Sequence, residues 1–381
     1  MVVGVPLEGA SGERRVALVP PFVPILAKSG LATLIQKSAG NKAGFLDEAY
    51  EKAGAQFVDE EEELFASSDI VVKVSDNPIS SSLLRPGQII LGLLNPLGSP
   101  KTAELYAEKE VTSFALELLP RITRAQSMDA LSSMATIAGY KAVILAASAL
   151  DKIYPMMITA AGTIAPARVF VIGAGVAGLQ AIATARRLGA AVQAYDVRPA
   201  VKEQVESLGA KFVEMELETG DSETSGGYAK EMGEEFYRRQ REMMARVVAE
   251  SDAVITTAAV PGKRAPTLIT STMVEGMRPG AVILDMAAET GGNCELTTQG
   301  ETVEQNGVKV IGPVNLPGSI PHHSSQMYSK NISEFLKNLL KNGELSLNTE
   351  DPIIKDSLLT HRGKIINKRI REILGLEEAQ N

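Results

Sequence analysis

RVFVIGAGVAGLQAIATARRLGAAVQAYDVR, residues 168–198, decides how the rest of the chain is read. Its first five residues are a short apolar run of the kind buried within a parallel sheet. Gly173, Gly175 and Gly178 follow at G-x-G-x-x-G spacing, then a helical stretch, then a second apolar run ending at Asp196. Each part has a physical role. Gly173 permits a tight turn, Gly175 lets backbone approach a pyrophosphate, and Gly178 lets helix and strand pack closely. The helix N-terminus supplies N–H groups and the positive end of a dipole. Asp196, 18 residues after Gly178, stands at a strand end where a carboxylate accepts ribose hydroxyls. A dinucleotide is therefore expected over residues 173–178, including Ala174, Val176 and Ala177, with Asp196, Val197 and Arg198 at its adenosine end. Asp196 would repel a 2′-phosphate, which favours NAD(H). Arg198, two residues beyond Asp196, is the group that would pair with such a phosphate if NADP(H) were bound.

Outward from this unit, strand-like and helix-like segments alternate. Residues 2–6, 31–36, 70–74, 88–94 and 111–116 read as strands, with helices at 21–29, 47–54, 61–67 and 102–109. After a long helix at 128–150, strands follow at 168–173, 191–196, 211–215, 253–259, 281–287 and 308–311, and a helix at 324–340. Alternation of this kind implies parallel sheets covered on both faces. The expected fold is α/β, with two doubly wound, mostly parallel-sheet, Rossmann-like domains joined by long helices around a cleft. Residues 1–127, completed by 325–381, form the first domain, and 128–324 the nucleotide-binding second. Thr256, Thr257, Ala258 and Ala259 end a strand of the second sheet, either as small residues beside the adenosine half or as a plain strand-to-loop junction. The polar segment 217–232 is long for a loop in a compact domain, which suits either a lid or a disordered stretch. The stretch 156–185, interrupted by Pro166, Arg168 and four glycines, reads as strand, turn and helix rather than one membrane span.

The bulk numbers narrow the function classes. A chain of 381 residues exceeds one ordinary core. A net charge of −8 repels nucleic acid and anionic lipid, and 4% aromatic content without Trp gives no base-stacking platform. Cys294 is the single cysteine and reads as a small filler. No metal-ligand cluster is expected. The N-terminus lacks the pattern of a signal peptide.

PRITRAQSMDALSS, residues 120–133, is polar and basic just before the long helix. It resembles the nicotinamide-binding loop of the NAD(H)-binding component of proton-translocating nicotinamide nucleotide transhydrogenase. The resemblance extends through residues 157–190, VKEQVESLGAKF, GGYAKEMGEEF, ITTAAVPGKRAP and GGNCELT, and more loosely to GERRVAL near the start. It implies that Arg121, Gln126, Asp129 and Ser132 hold the nicotinamide end, and that Tyr228 sits on a loop that closes over the nucleotide. Chemically this is reasonable: Arg and Gln can bond a carboxamide, and Asp can orient the Arg or accept an amide N–H. The bland alternatives are a surface ion pair of Arg121 and Asp129 at a helix start, and an exposed loop aromatic at Tyr228.

The same superfamily includes alanine dehydrogenase, and Arg15 and Lys73 fall where that enzyme's substrate-binding Arg and Lys would be. Its essential His aligns with Asn95, which cannot act as a general base. His322, His323 and His361 are expected to be structural. Hydride transfer between two nicotinamides moves no proton at either carbon, so orientation is the main task. The resemblance thus implies a subunit that binds NAD(H), with Gln126, Arg121 and Asp129 nearest the chemistry and Gln126 bridging both nucleotides. NADP(H) would be held by a partner component, with further membrane-embedded subunits, a homodimeric state, no nucleic acid, and a cytoplasmic position at the inner membrane face. The alternatives are a stand-alone amino-acid dehydrogenase and a catalytically silent NAD(H) sensor. The basic tail RGKIINKRIREILG reads as either a docking element for an anionic membrane or a solvated surface helix.

Overall fold

The computed structural model describes residues 1–75, 77, 79–214, 234–260, 262–341 and 344–376. The chain divides into two units, Met1–Met134 with Pro317–Asn381, and Ala135–Leu316. Helix Ala130–Ala149 starts in the first unit, where Ala130 and Met134 join the core, and continues into the second, where Ala142, Val143 and Ala146 are buried. By length and composition this helix could cross a membrane. Its buried residues pack into the hydrophobic cores of both units.

The first unit is built on an eight-stranded sheet in the order Lys364–Ile365, Leu358–His361, Thr112–Ala115, Ile89–Gly92, Ile70–Val72, Val2–Val5, Ala32–Gln36, Gln56–Val58. The six strands from the N-terminal part pair in parallel, and the two from the tail are antiparallel. Successive strand residues feed opposite faces: Val3, Val5, Ile70 and Val72 join one core, and Val71 and Ile90 the other. That two-sided burial explains why these strands read as continuous apolar runs.

Helix Pro321–Leu339 lies on the first core through Tyr328, Ile332, Phe335, Leu336 and Leu339. Its serines tie loop backbone into place: Ser325 Oγ accepts from Val16 N at 3.0 Å and Ser329 Oγ from Val19 N at 2.9 Å. The tail departs from the sequence reading. Instead of one surface helix, it forms the edge strand Lys364–Ile365 and the short helix Lys368–Ile373, with Ile365 and Ile370 in the core. Two isoleucines facing one way among basic residues are a core stripe, and Asn367 caps the short helix by accepting from Ile370 N.

The second unit carries a seven-stranded sheet in the order Lys211–Phe212, Ala191–Tyr195, Arg168–Ile172, Ala253–Thr256, Val282–Asp285, Val308–Ile311, Thr302–Gln305. Only the last strand is antiparallel. Val169 and Val171 face one core and Phe170 and Ile172 the other. Arg168–Ile172 lies between Ala191–Tyr195 and Ala253–Thr256, so the strand order reverses at this point. Such a switch point opens a crevice at the carboxyl ends of the strands, where the glycine turn begins. Helix Glu234–Glu250 and the hairpin of Met157–Thr159 with Gly162–Ile164 were not anticipated from the sequence.

Candidate functional site

The glycine turn has the geometry its spacing predicts. Gly173 takes φ +98°, and a Cβ there would come within 2.5 Å of Thr257 Oγ1. At Gly178 a Cβ would stand 1.8 Å from Gly173 O, so the helix and the strand end touch backbone to backbone. Gly175 differs, because a Cβ placed there meets nothing within 4 Å. It is the N-cap of helix Val176–Arg187 and provides no side-chain cap. The helix N-terminus therefore faces open space with donors that no cap side chain occupies, which fits a phosphate-bearing ligand. Gly139 on the long helix lets that helix approach equally closely, since a Cβ there would lie 2.1 Å from Ala177 O. Its role was not read from the sequence.

Asp196, at the end of Ala191–Tyr195, is already engaged on several sides. Its Oδ2 accepts from Ala174 N at 2.7 Å, and Oδ1 accepts from Arg198 N at 2.9 Å. The Arg198 guanidinium grips both oxygens, through Nε at 2.9 Å and Nη2 at 2.8 Å. The carboxylate thus ties its strand to the glycine turn and engages the Arg198 guanidinium. Val197 is half-buried beside it. Tyr195 lies beneath the strand end, its hydroxyl accepting from Gln240 Nε2, and burial pushes its pKa up to about 12.

The strand ending Ala253–Thr256 is shorter than expected, and its threonines diverge. Thr256 is buried and donates to Asp285 Oδ1 at 2.8 Å, so it faces the interior rather than a ligand. Thr257 Oγ1 donates to Gly173 O at 3.1 Å and so supports the turn from below. Ala258 is half-buried and Ala259 exposed. The sequence reading missed Asp285 and Asn293. Asp285, fully buried, accepts from Thr256, Ala287 N, Asn293 N, Cys294 N and Thr297. Asn293 in turn accepts from Ala258 N and donates to the carbonyls of Ala258 and Pro266. The consecutive left-handed Gly291 and Gly292, at φ +103° and +79°, were the available signal for a special turn here. Burial pushes the Cys294 thiol up to about 11, in keeping with a filler.

In the first unit, residues Thr123–Met128 form a 3-10 helix with Ala125 and Met128 buried. Arg121 and Gln126 are exposed, and Asp129 and Ser132 are half-buried. Asp129 Oδ1 accepts from Ser132 N at 2.8 Å and Oδ2 from Ser132 Oγ at 2.5 Å, capping the first turn of Ala130–Ala149. The structure brings Asp129 and Ser132 together. Tyr228 and the expected lid at 217–232 lie outside the described residues.

Arg15 and Lys73, expected where a dehydrogenase would hold its substrate, are both buried. Arg15 holds Glu13 through both nitrogens, at 2.8 and 2.6 Å, with both side chains buried. Lys73 donates to the Asn77 carbonyl. Burial raises the pKa of the adjacent Glu8, which accepts from Val74 N and Ser75. Asn95 is exposed, at φ +48°, and its Oδ1 accepts from Gly98 N, so it shapes a turn. His322 stacks on Phe45 at 4.4 Å and contacts the Ala43 carbonyl, and His361 bonds Thr112. Among the described residues no His, Cys, Asp or Glu group could hold a metal ion.

Comparison with known proteins agrees with this geometry. Residues 4–138 match the family model for the alanine dehydrogenase/PNT N-terminal domain, and 142–368 that for the alanine dehydrogenase/PNT C-terminal domain. The chain is 44% identical over 370 residues to an NAD(P) transhydrogenase subunit alpha chain of Rickettsia prowazekii, covering 96% of each. The crystal structure of transhydrogenase from Sinorhizobium meliloti superposes with a TM-score of 0.86 at 42% identity, over 96% of this chain and 100% of that one. The alanine dehydrogenase of Bacillus subtilis is more distant, at 27% identity over 99% of this chain and 96% of its own. An NAD-type glycine turn in one unit, a 120–133 loop in the other, and matches along nearly the whole length give one conclusion: the chain belongs to the alanine dehydrogenase/PNT family, on its transhydrogenase side.

Proposed function

We propose that this chain is the NAD(H)-binding subunit of a proton-translocating transhydrogenase, passing a hydride between the NAD(H) it holds and NADP(H) held by a partner subunit. The observation that carries the reading is the 44% identity to a transhydrogenase alpha subunit across 96% of both chains. The adenosine and pyrophosphate half lies on residues 173–178 with Asp196, Val197, Arg198, Thr257, Ala258 and Ala259. Arg121, Gln126, Asp129 and Ser132 hold the nicotinamide end, and Tyr228 closes over it. The engaged Arg198 supports NAD(H) over NADP(H), because a 2′-phosphate would have to displace Asp196 from it. The turn role of Asn95 and the internal pairing of Arg15 with Glu13 count against the alanine dehydrogenase reading.

The chain functions as a homodimer, peripheral on the cytoplasmic face of the membrane, with membrane-embedded subunits carrying the protons. The hairpin at 157–164 supports self-association: Met156, Ile158 and Ile164 are 57, 76 and 47% exposed, an apolar surface suited to cover by another chain. The test is to mix the chain with an NADPH-loaded NADP(H)-binding component and follow reduction of an NAD⁺ analogue. Turnover in the mixture, with none from NAD⁺ and L-alanine alone, is expected. The reverse pattern overturns the proposal, and silence in both assays overturns it as well, leaving a catalytically silent NAD(H) sensor as the remaining alternative.

A further inference from the structure

Gln126 is gripped on both sides by the segment that returns to the first unit. Two residues before it, Arg124 donates to Asn338 Oδ1 at 3.2 Å and through both Nη atoms to the Asp351 carboxylate. One residue after it, the Ser127 carbonyl accepts from Asn331 Nδ2 at 2.9 Å. Asn331 is 4% exposed and sits on helix Pro321–Leu339. The Oδ1 of the same amide is buried and has no hydrogen-bond partner among the described residues. Leaving a buried carbonyl unpaired costs stability, and such a group in a native fold calls for an explanation. The Asn331 side-chain amide reaches the loop.

We infer that Asn331 and Arg124 are positioning residues for hydride transfer, fixing the backbone on both sides of Gln126 so that its amide meets the nicotinamide in one place. The inference rests on the transhydrogenase reading and assigns a further task within it. Exposed ion pairs hold little alone, so the Asn331 bond, whose donor residue is buried, is the main anchor and Arg124 the lesser one. A nucleotide held chiefly by the glycine turn keeps most of its affinity when this loop loosens, whereas a misplacement on the order of 1 Å costs about a hundredfold in rate.

The experiment measures single-turnover reduction of an NAD⁺ analogue by the NADPH-loaded component, NADH affinity and thermal unfolding, for wild type, Asn331→Leu, Arg124→Met and Arg124→Lys. Asn331→Leu keeps the branched shape; it removes the unpaired carbonyl but also the bond to the Ser127 carbonyl, two opposed effects, so the Tm stays near that of wild type. Its transfer rate falls at least about tenfold while the NADH Kd moves less than about threefold. Arg124→Met shows a smaller fall, and Arg124→Lys recovers part of it. A wild-type rate in a folded Asn331→Leu chain overturns the inference. Should that variant fail to fold, a wild-type rate in Arg124→Met does the same. A wild-type chain that transfers no hydride defeats the underlying reading instead.

Discussion

Two glycine substitutions three residues apart should fail in different ways. A methyl at Gly178 would lie 1.8 Å from Gly173 O and 2.8 Å from Gly173 C. Ordinary carbon–oxygen contacts begin near ~3.3 Å, so the helix must retreat by about 1.5 Å from a backbone carbonyl that cannot move aside. Overpacking of this kind costs about 1–3 kcal/mol. In a unit of this size that lowers the Tm by roughly 2–12 °C. A methyl at Gly175 meets no protein atom within 4 Å, and its φ of −76° suits any L-residue. Gly175→Ala should therefore leave the Tm within about 2 °C, since its cap and chain-entropy effects are tenths of a kcal/mol and of opposite sign. On the proposed site, the methyl instead fills space that the pyrophosphate would cross. Losing one charge-assisted bond from the turn is worth about 1.5–3 kcal/mol, a weakening of NADH binding of roughly 10- to 150-fold. Differential scanning calorimetry and NADH fluorescence titration on both variants separate the effects. Wild-type affinity in Gly175→Ala would show that the nucleotide does not cross this turn, and the site assignment would fall.

Three further outcomes concern single side chains. Asp196→Ala removes the acceptor of Ala174 N and releases the Arg198 guanidinium from its carboxylate, so NADH should bind about tenfold or more weakly while NADPH binds no worse; unchanged discrimination in paired titrations contradicts the role given to Asp196. Ile370→Ala empties a buried position in the tail and should cost about 2–5 kcal/mol in urea unfolding, whereas a cost under about 0.5 kcal/mol would return the tail to the status of a surface helix. Arg124 holds the Asp351 carboxyl below its ordinary range, so that contribution is present above the ordinary aspartate value and is lost as pH falls through the lowered one. The difference in unfolding free energy between wild type and Asp351→Asn should be flat above about pH 5 and shrink below about pH 4; a difference that grows on acidification refutes the pairing.

The doubly wound sheets were legible because burial on both faces writes continuous apolar runs, as in Arg168–Ile172 and Ile89–Gly92. The glycine turn was legible because close backbone packing admits one residue type. Two short edge strands were not: Gln56–Val58 and Thr302–Gln305 carry polar residues at exposed positions, so their apolar signal is weak. The tail failed because its register against Thr112–Ala115 comes from contacts about 250 residues away. Site residues that touch a ligand carry a local signature, whereas those that brace them do not. Asn293 and Asn331 bond backbone 35 and 204 residues away, and Asp285 gathers nearby N–H groups together with Thr256 from another strand; the types Asp and Asn alone say nothing about such partners.

The central claim is that this chain binds the reduced pyridine nucleotide lacking a 2′-phosphate and presents its ring to a second nucleotide. Parallel titrations of the purified chain with NADH and NADPH, read by nucleotide fluorescence and isothermal calorimetry, address it directly. Saturable binding of NADH with at least about tenfold weaker binding of NADPH is expected. No saturable signal with NADH by either method, or tighter binding of NADPH, contradicts the account.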